Sequence, residues 1–180
     1  MMSEKESDIA NYSAFAVAIL EGQLDVLLGK YMLNRVDILE DVGTSTNPAV
    51  DIGQVEGAYI QGIGLFTTEK MVYDKKTGET LSKDVLSYFV NLAKDIPLEM
   101  NIMLRENSKN MNGVLGSKAV GEMGLCTANG VMHVLRQCIM ESRKDSGYDT
   151  SEWINIDIPF TTESILKALN VKTSEMGLTK

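Results

Sequence analysis

A chain of 180 residues with 44% hydrophobic and 23% charged residues can bury a sizeable core and has the composition of a soluble globular domain. Its 25 acidic and 17 basic residues give a net charge of -8. The sequence has no run of Lys or Arg interleaved with aromatic residues, so nucleic acid is not predicted as a partner. The sequence has no apolar stretch of about 20 residues that could span a bilayer. Residues 1–8 are polar and lack the basic segment followed by an apolar segment that is typical of a signal peptide. A soluble, cytoplasmic protein is therefore predicted.

The two cysteines and the lone histidine do not have the spacing of a metal site. Cys126 and Cys138 are predicted on one helix, about 18 Å apart along its axis, which is too far for a disulfide. Both are expected to be reduced, packed thiols. His133 is expected to be a half-buried helix residue, and no zinc or iron–sulfur site is predicted from these three residues.

The first structural signal is a hairpin. Residues 13–39 are rich in apolar and β-branched types and are interrupted by Gly22 and Gly29. This pattern predicts two antiparallel strands, with residues 23–28 leading into a turn at Gly29 and residues 31–39 forming the second strand.

A long helix follows a polar turn. Asn47 is a good N-cap residue and Pro48 suits the first helical position, so a helix is predicted from Pro48 to about Thr67. One face of this helix carries large apolar side chains and is predicted to be core. Its members are Ile52, Val55, Tyr59, Ile63 and Phe66.

A second stripe of this helix carries only small residues. They are Ala49, Gly53, Gly57 and Gly64, and Gly62 is a further glycine. Each glycine inside a helix costs about 1 kcal/mol relative to alanine, so another group is expected to approach the backbone closely. Two candidates remain open at this stage, a tightly packed helix or strand and a flat cofactor or its phosphate. Gln54 and Gln61 border the stripe, and a carboxamide offers both donors and an acceptor to a heterocycle.

The rest of the chain predicts a mixed structure. Strands are predicted at residues 71–74 and 100–105, separated by a turn at residues 75–78, and a long helix is predicted at residues 124–144. A short helix near residues 163–169 follows a threonine cap. This order indicates an α+β fold with a polar lead at residues 1–10, a single partial domain at residues 11–170 and a tail at residues 171–180.

Glu122 lies between Gly121 and Gly124 at the foot of the predicted long helix. A glutamate in the first turn of a helix is most often only a favourable charge near the helix start. The functional alternative is a catalytic carboxylate that the glycines leave accessible.

Three segments resemble a known family. They are residues 36–43 (VDILEDVG), residues 47–64 (NPAVDIGQVEGAYIQGIG) and residues 116–122 (GSKAVGE). They are similar to the C-terminal molybdopterin-binding domain of the xanthine dehydrogenase and aldehyde oxidase family, and look closest to animal aldehyde oxidases. The likeness runs from about Asn11 to Asn170, which implies part of the second molybdopterin-binding domain of a molybdenum hydroxylase.

The resemblance implies roles for three residues. Glu122 matches the general base that takes the proton of the molybdenum hydroxyl, and Gln54 matches the residue that contacts the pterin. The main chain around Val120 lies along the cofactor in the family. Molybdenum is held through the pterin, without a direct protein ligand. The implied partners are a small aldehyde or N-heterocycle and a second copy of the chain, with neither nucleic acid nor membrane.

Two functions remain open from the sequence. Family enzymes also contain iron–sulfur clusters, usually a flavin domain, and a first molybdenum-binding half, and no iron–sulfur or FAD motif is found in this chain. The chain is therefore expected to be the C-terminal part of a molybdenum hydroxylase that is inactive alone. The alternative is a noncatalytic remnant or interaction module. Met123 and Gly124 stand where the family usually has two prolines, or a proline and a small residue.

Overall fold

A computed structural model describes residues 12–151 and 153–171 of the chain. The predicted lead at residues 1–10 and most of the predicted tail at residues 171–180 lie outside these ranges. The described residues form a three-stranded sheet and four α-helices around one core, which confirms the α+β prediction. Within these ranges, no helix is long and apolar enough to cross a membrane.

The predicted hairpin is confirmed. Strands β1 (Ala16–Asp25) and β2 (Lys30–Glu40) pair antiparallel, and Gly29 takes a φ of +64° in the turn between them. Residues 26–29 form this turn rather than a strand, because the Asp25 carboxylate accepts hydrogen bonds from two turn N–H groups. Gly22 lies at a β-bulge, where the register with β2 shifts, and is not a turn.

The third strand, β3 (Glu99–Leu104), lies parallel to β2 and confirms the strand predicted at residues 100–105. The other predicted strand, at residues 71–74, is wrong. In that segment Tyr73 forms a single bridge to Thr80, and the turn between them is held by the Asp74 carboxylate. One bridge across a tight turn does not extend into a ladder.

The first long helix, α1 (Pro48–Thr67), has the predicted bounds. The Asn47 side chain accepts a hydrogen bond from the Val50 N–H group at 3.4 Å and caps the helix start. Val55, Tyr59 and Ile63 are fully buried and Phe66 is partly buried against the core, as predicted. Ile52, the fifth residue of the predicted stripe, is not part of this core cluster.

The second predicted helix is two helices, α2 (Gly121–Thr127) and α3 (Gly130–Asp145). The break separates two packing partners: α2 packs mainly on α1, and α3 packs mainly on β1. Gly130 contacts Leu20 of β1 so closely that a Cβ would lie 2.8 Å from the leucine Cδ1.

The structure corrects the predictions for the two cysteines and for His133. Cys126 lies in α2 and is exposed, whereas Cys138 lies in α3 and is partly buried, so they are not two packed thiols on one helix. Burial raises the pKa of the Cys138 thiol. His133 is exposed on α3 rather than half-buried.

The core lies between the inner face of the sheet and the helices. Its buried members are Leu33, Val36, Ile38, Val55, Tyr59, Ile63, Ala128, Val131, Leu135, Ile139, Phe160, Ile165 and Leu169. Helix α4 (Thr162–Leu169) supplies the last two, and the Thr161 hydroxyl caps its start as predicted by accepting from the Ser164 N–H group at 3.2 Å.

Candidate functional site

Two of the motif segments interlock at the end of β2. The Thr44 N–H group donates to the Gly116 carbonyl at 2.8 Å, and the Lys118 N–H group donates to the Val42 carbonyl at 2.9 Å. Gly43, with a φ of +66°, lies so close that a Cβ would collide with the Gly116 carbonyl oxygen. Only glycine fits this position, because both its backbone conformation and its space exclude a side chain.

Asp41 is the charged centre of this junction. Asp41 is 3% exposed, and its carboxylate binds the Lys118 ammonium at 2.8 Å and the Arg105 guanidinium at 3.2 Å. It also accepts from the Ser108 hydroxyl and the Gly43 N–H group. These donors hold the pKa of Asp41 well below its usual range despite its burial. The ion pair therefore fixes the loop that leads into α2.

The crossing of α1 and α2 explains Gly62, the further glycine of α1 that lies outside the small stripe. A Cβ on Gly62 would collide with the Ala128 methyl group and lie 2.8 Å from the Leu125 carbonyl oxygen. On the facing helix, a Cβ on Gly124 would lie 2.7 Å from the Val55 carbonyl oxygen. Glycines on both helices thus let the two backbones approach, and Gly124 is a packing contact within α2.

Two glycines of the small stripe face open space. A Cβ on Gly53 or on Gly57 would have no atom within 4 Å. These glycines line a surface cavity of about 560 Å³ between α1 and α2. The remaining lining residues are Gln54, Ala58, Gln61, Gly121, Glu122, Leu125 and Cys126.

This cavity brings together two of the three residues singled out by the sequence. Gln54 and Glu122, 68 positions apart in the chain, both line it, and the Gln54 carboxamide oxygen lies 3.9 Å from the Cβ position of Gly121. Val120 does not line the cavity: its side chain packs against the core, and its main chain directly precedes Gly121. Glu122 is exposed, and its carboxylate has no hydrogen bond or ion pair within the described ranges.

Glu40 is a buried acidic residue that the sequence analysis did not single out. Its side chain is fully buried, and neither carboxyl oxygen has a hydrogen-bond partner among the residues that the structure describes. Burial, followed by the charges of Asp51 and Glu122, raises the pKa of Glu40 to about 7. The alternation of β2 could have found it, since Val36, Ile38 and Glu40 occupy successive inward positions.

Stability is expected to fall with pH because of Glu40. Its pKa in the folded chain is above the ordinary value of 4.5, so its contribution is complete below pH 4.5 and is lost as pH rises through about 7. Wild type should lose on the order of 2 kcal/mol of unfolding free energy between pH 5 and pH 8. Glu40→Gln should flatten this dependence in urea titrations at both pH values.

The matched control for this prediction is Glu56→Gln, which makes the same chemical change at an exposed position of α1. It should keep the wild-type pH dependence. A Glu40→Gln curve parallel to wild type would show that the carboxyl at position 40 titrates normally.

Among the described residues, no group of three His, Cys, Asp or Glu side chains is arranged to hold a metal ion.

Known proteins match both the sequence and the fold. A family model described as the molybdopterin cofactor-binding domain matches residues 2–97, a range that includes Gln54 and ends before Glu122. The xanthine dehydrogenase/oxidase of Gallus gallus is 39% identical over 158 residues, which cover 88% of this chain and 11% of that protein. Aldehyde oxidase 1 of Oryctolagus cuniculus is 36% identical over 165 residues, 92% of this chain and 12% of that protein.

Solved structures share the fold at lower identity. A reconstituted CO dehydrogenase from Oligotropha carboxidovorans matches with a TM-score of 0.72 and 19% identity, over 92% of this chain and 19% of that one. Quinoline 2-oxidoreductase from Pseudomonas putida 86 matches with a TM-score of 0.70 and 22% identity, over 84% of this chain and 18% of that one. The chain thus spans about a ninth of the curated relatives and less than a fifth of these structures. Since the family model covers more than half of the sequence, the chain belongs to the molybdopterin cofactor-binding domain family.

Proposed function

We propose that the chain is the C-terminal part of a molybdenum hydroxylase that oxidises aldehydes or N-heterocycles, with molybdopterin in the cavity between α1 and α2. The observation that carries this proposal is the position of Gln54 and Glu122 on one cavity, from two motif segments that are distant in sequence. Xanthine dehydrogenases and aldehyde oxidases are among its curated relatives.

The cavity residues fit a pterin. Gly53 and Gly57 leave an open surface on α1 that side chains would otherwise fill, and a flat ring can lie against such a surface. Beside it, Gln54 and Gln61 present carboxamides that donate to and accept from the edge of a heterocycle. Gln54 would hold the pterin, and the main chain at Val120 would line the entry to α2.

Glu122 would act as the general base. Bound molybdopterin supplies the molybdenum centre at which the substrate is oxidised. The Glu122 carboxylate lines the cavity and is not engaged by any cation or donor of the described ranges, so its oxygens are available to accept a proton. The Asp41 junction holds the preceding loop and so fixes where the carboxylate lies.

The proposal assigns the other functions of such an enzyme elsewhere. Residues 11–170 would form one partial domain, and iron–sulfur, flavin and first molybdenum-binding parts would come from outside this sequence. The substrate would be a small aldehyde or heterocycle, the compartment the cytoplasm, and the assembly a homodimer. The chain covers only 11% and 12% of the two curated relatives, which leaves room for all of these parts.

The competing function is a noncatalytic interaction module. It is favoured by the outer face of the sheet, where Phe15, Val17 and Ile19 are 66%, 57% and 71% exposed. Exposed apolar patches mark contact surfaces. A chain that self-associates through this face and never carries molybdenum or pterin would support this alternative.

Glu122→Gln tests the proposed base. The variant keeps the shape of the side chain but cannot accept the proton, so the substrate-dependent rate should fall by about 10²- to 10⁴-fold. The measurement is aldehyde- and xanthine-dependent dye reduction by the chicken enzyme in which this chain replaces the matching segment. Molybdenum content should stay unchanged.

Glu56→Gln, at an exposed position of α1, is the matched control and should keep the full rate. If Glu122→Gln also retains the full rate at normal molybdenum content, the assignment of Glu122 as the general base is wrong.

A further inference from the structure

A second cavity lies between the start of β2, the end of α1 and the start of α4. Its volume is about 630 Å³, and it shares no lining residue with the cavity between α1 and α2. Thr67, which lines it at the end of α1, lies about 20 Å along the helix axis from Gln54. The second cavity is therefore separate from the proposed molybdopterin site, and the proposed function leaves it without a role.

Aromatic side chains from three parts of the chain line the second cavity. Tyr31 comes from the start of β2, Phe89 from the loop after α1, and Phe160 from the segment before α4. The Tyr31 hydroxyl donates to the Thr67 hydroxyl at 3.0 Å, which in turn donates to the Ile63 carbonyl at 2.7 Å. Because these polar groups are satisfied within the chain, this side of the cavity presents an apolar surface to a ligand.

The loop that carries Phe89 is anchored on both sides of this residue. The Tyr88 hydroxyl donates to the carboxylate of Glu69, just beyond the end of α1, at 2.5 Å. The Asn91 carboxamide donates to the Ile60 carbonyl of α1. Sites for small molecules are typically pre-formed cavities of about 300–1,000 Å³ with apolar walls and a few polar groups. The second cavity meets these conditions.

The second cavity carries an excess of positive charge, although the chain as a whole has a net charge of -8. Its two acids, Asp95 and Glu163, each bind a neighbouring lysine ammonium, at 3.0 Å and 2.5 Å. Lys30 and Lys70 also line the cavity, and their ammonium groups form no hydrogen bond or ion pair within the described ranges. An anionic group that enters the cavity would therefore meet two cations without a bound partner.

We propose that the second cavity binds a small molecule with an aromatic, apolar body and one anionic group, a carboxylate or a sulfonate. The body would lie against Tyr31, Phe89 and Phe160, and the anionic group would lie beside Lys30 and Lys70. This inference goes beyond the proposed function and does not depend on it, because the two cavities have no lining residue in common.

The experiment is a fluorescence titration of the full chain with two probes that share one aromatic body. Anilinonaphthalene sulfonate carries an anionic group, and phenylnaphthylamine lacks it. The sulfonate should bind once per chain and more tightly than the neutral probe. Replacing both lysines, Lys30→Met with Lys70→Met, should raise the dissociation constant of the sulfonate about fivefold and leave that of the neutral probe unchanged. Lys76→Met, at an exposed position outside the cavity, is the matched control and should change neither constant.

A second pair of variants tests the apolar wall. Phe89→Ala should weaken the binding of both probes, and its replacement should be tolerated because Phe89 is 62% exposed. Phe15→Ala makes the same change on the outer face of the sheet, where Phe15 is 66% exposed, and should leave both constants unchanged. Gly57→Leu fills the cavity between α1 and α2 and should also leave them unchanged. Circular dichroism checks the fold of each variant.

The proposal is overturned if the folded double-lysine variant keeps the wild-type preference for the sulfonate over the neutral probe. It is also overturned if Phe15→Ala or Gly57→Leu weakens binding as much as Phe89→Ala does, or if the sulfonate shows no saturable binding at millimolar concentration. This readout requires no molybdenum, so a failure here leaves the proposed function untouched, and a chain that never binds molybdenum leaves this inference untouched.

Discussion

Gly62→Ala is expected to destabilise the chain by about 2 kcal/mol, the typical cost of forcing a methyl group into a packed interface. The new Cβ would collide with the Ala128 methyl group and lie 2.8 Å from the Leu125 carbonyl oxygen. The second of these contacts is backbone, so it cannot be relieved by a side-chain rotation. Urea unfolding at constant pH measures the change.

Gly57→Ala is the matched control on the same helix. Its Cβ would meet no atom within 4 Å, so the substitution should raise the unfolding free energy by up to about 1 kcal/mol through helix propensity alone. The two substitutions are expected to change the unfolding free energy in opposite directions, because α2 crosses α1 at Gly62 and not at Gly57. Equal effects at both positions would contradict that crossing.

Asp41→Asn is expected to destabilise the chain by about 3 kcal/mol. The Lys118 side chain is only 9% exposed, and without the carboxylate its buried ammonium would lose its counter-charge and keep the Ser13 carbonyl oxygen, at 2.8 Å, as an acceptor. The loop at residues 116–121 should also loosen, which hydrogen exchange of its amides would report.

Asp37→Asn provides the comparison on the same strand. Asp37 pairs with Arg35 on the solvent side, where an ion pair contributes little, so its loss should change stability only slightly. If Asp41→Asn proves no worse than Asp37→Asn, the Asp41 junction does not hold the loop as described.

Local signals made the first helix and the hairpin predictable. Asn47 and Pro48 specify a helix start through the cap and the fixed φ of proline, and both bounds of α1 were correct. The break between α2 and α3 has no comparable local signal. It is set by tertiary contacts, because α2 packs mainly against α1 and α3 packs mainly against β1.

The site was only partly predictable, for a related reason. The glycines of α1 left two explanations open, and the structure divides them: Gly62 packs against α2, while Gly53 and Gly57 face open space. Residue spacing along one helix cannot show where a second helix crosses it. Glu40 was overlooked because a glutamate at a strand end is ordinarily exposed, although the inward alternation of β2 pointed to its burial.

The most direct test of the account is the molybdenum and pterin content of the chain after production with the remaining parts of a xanthine dehydrogenase. Wild type should carry both in near-stoichiometric amounts, and Gly57→Leu, which fills the cavity without touching the core, should carry neither while remaining folded. Equal molybdenum and pterin in wild type and Gly57→Leu would show that the cofactor does not lie between α1 and α2.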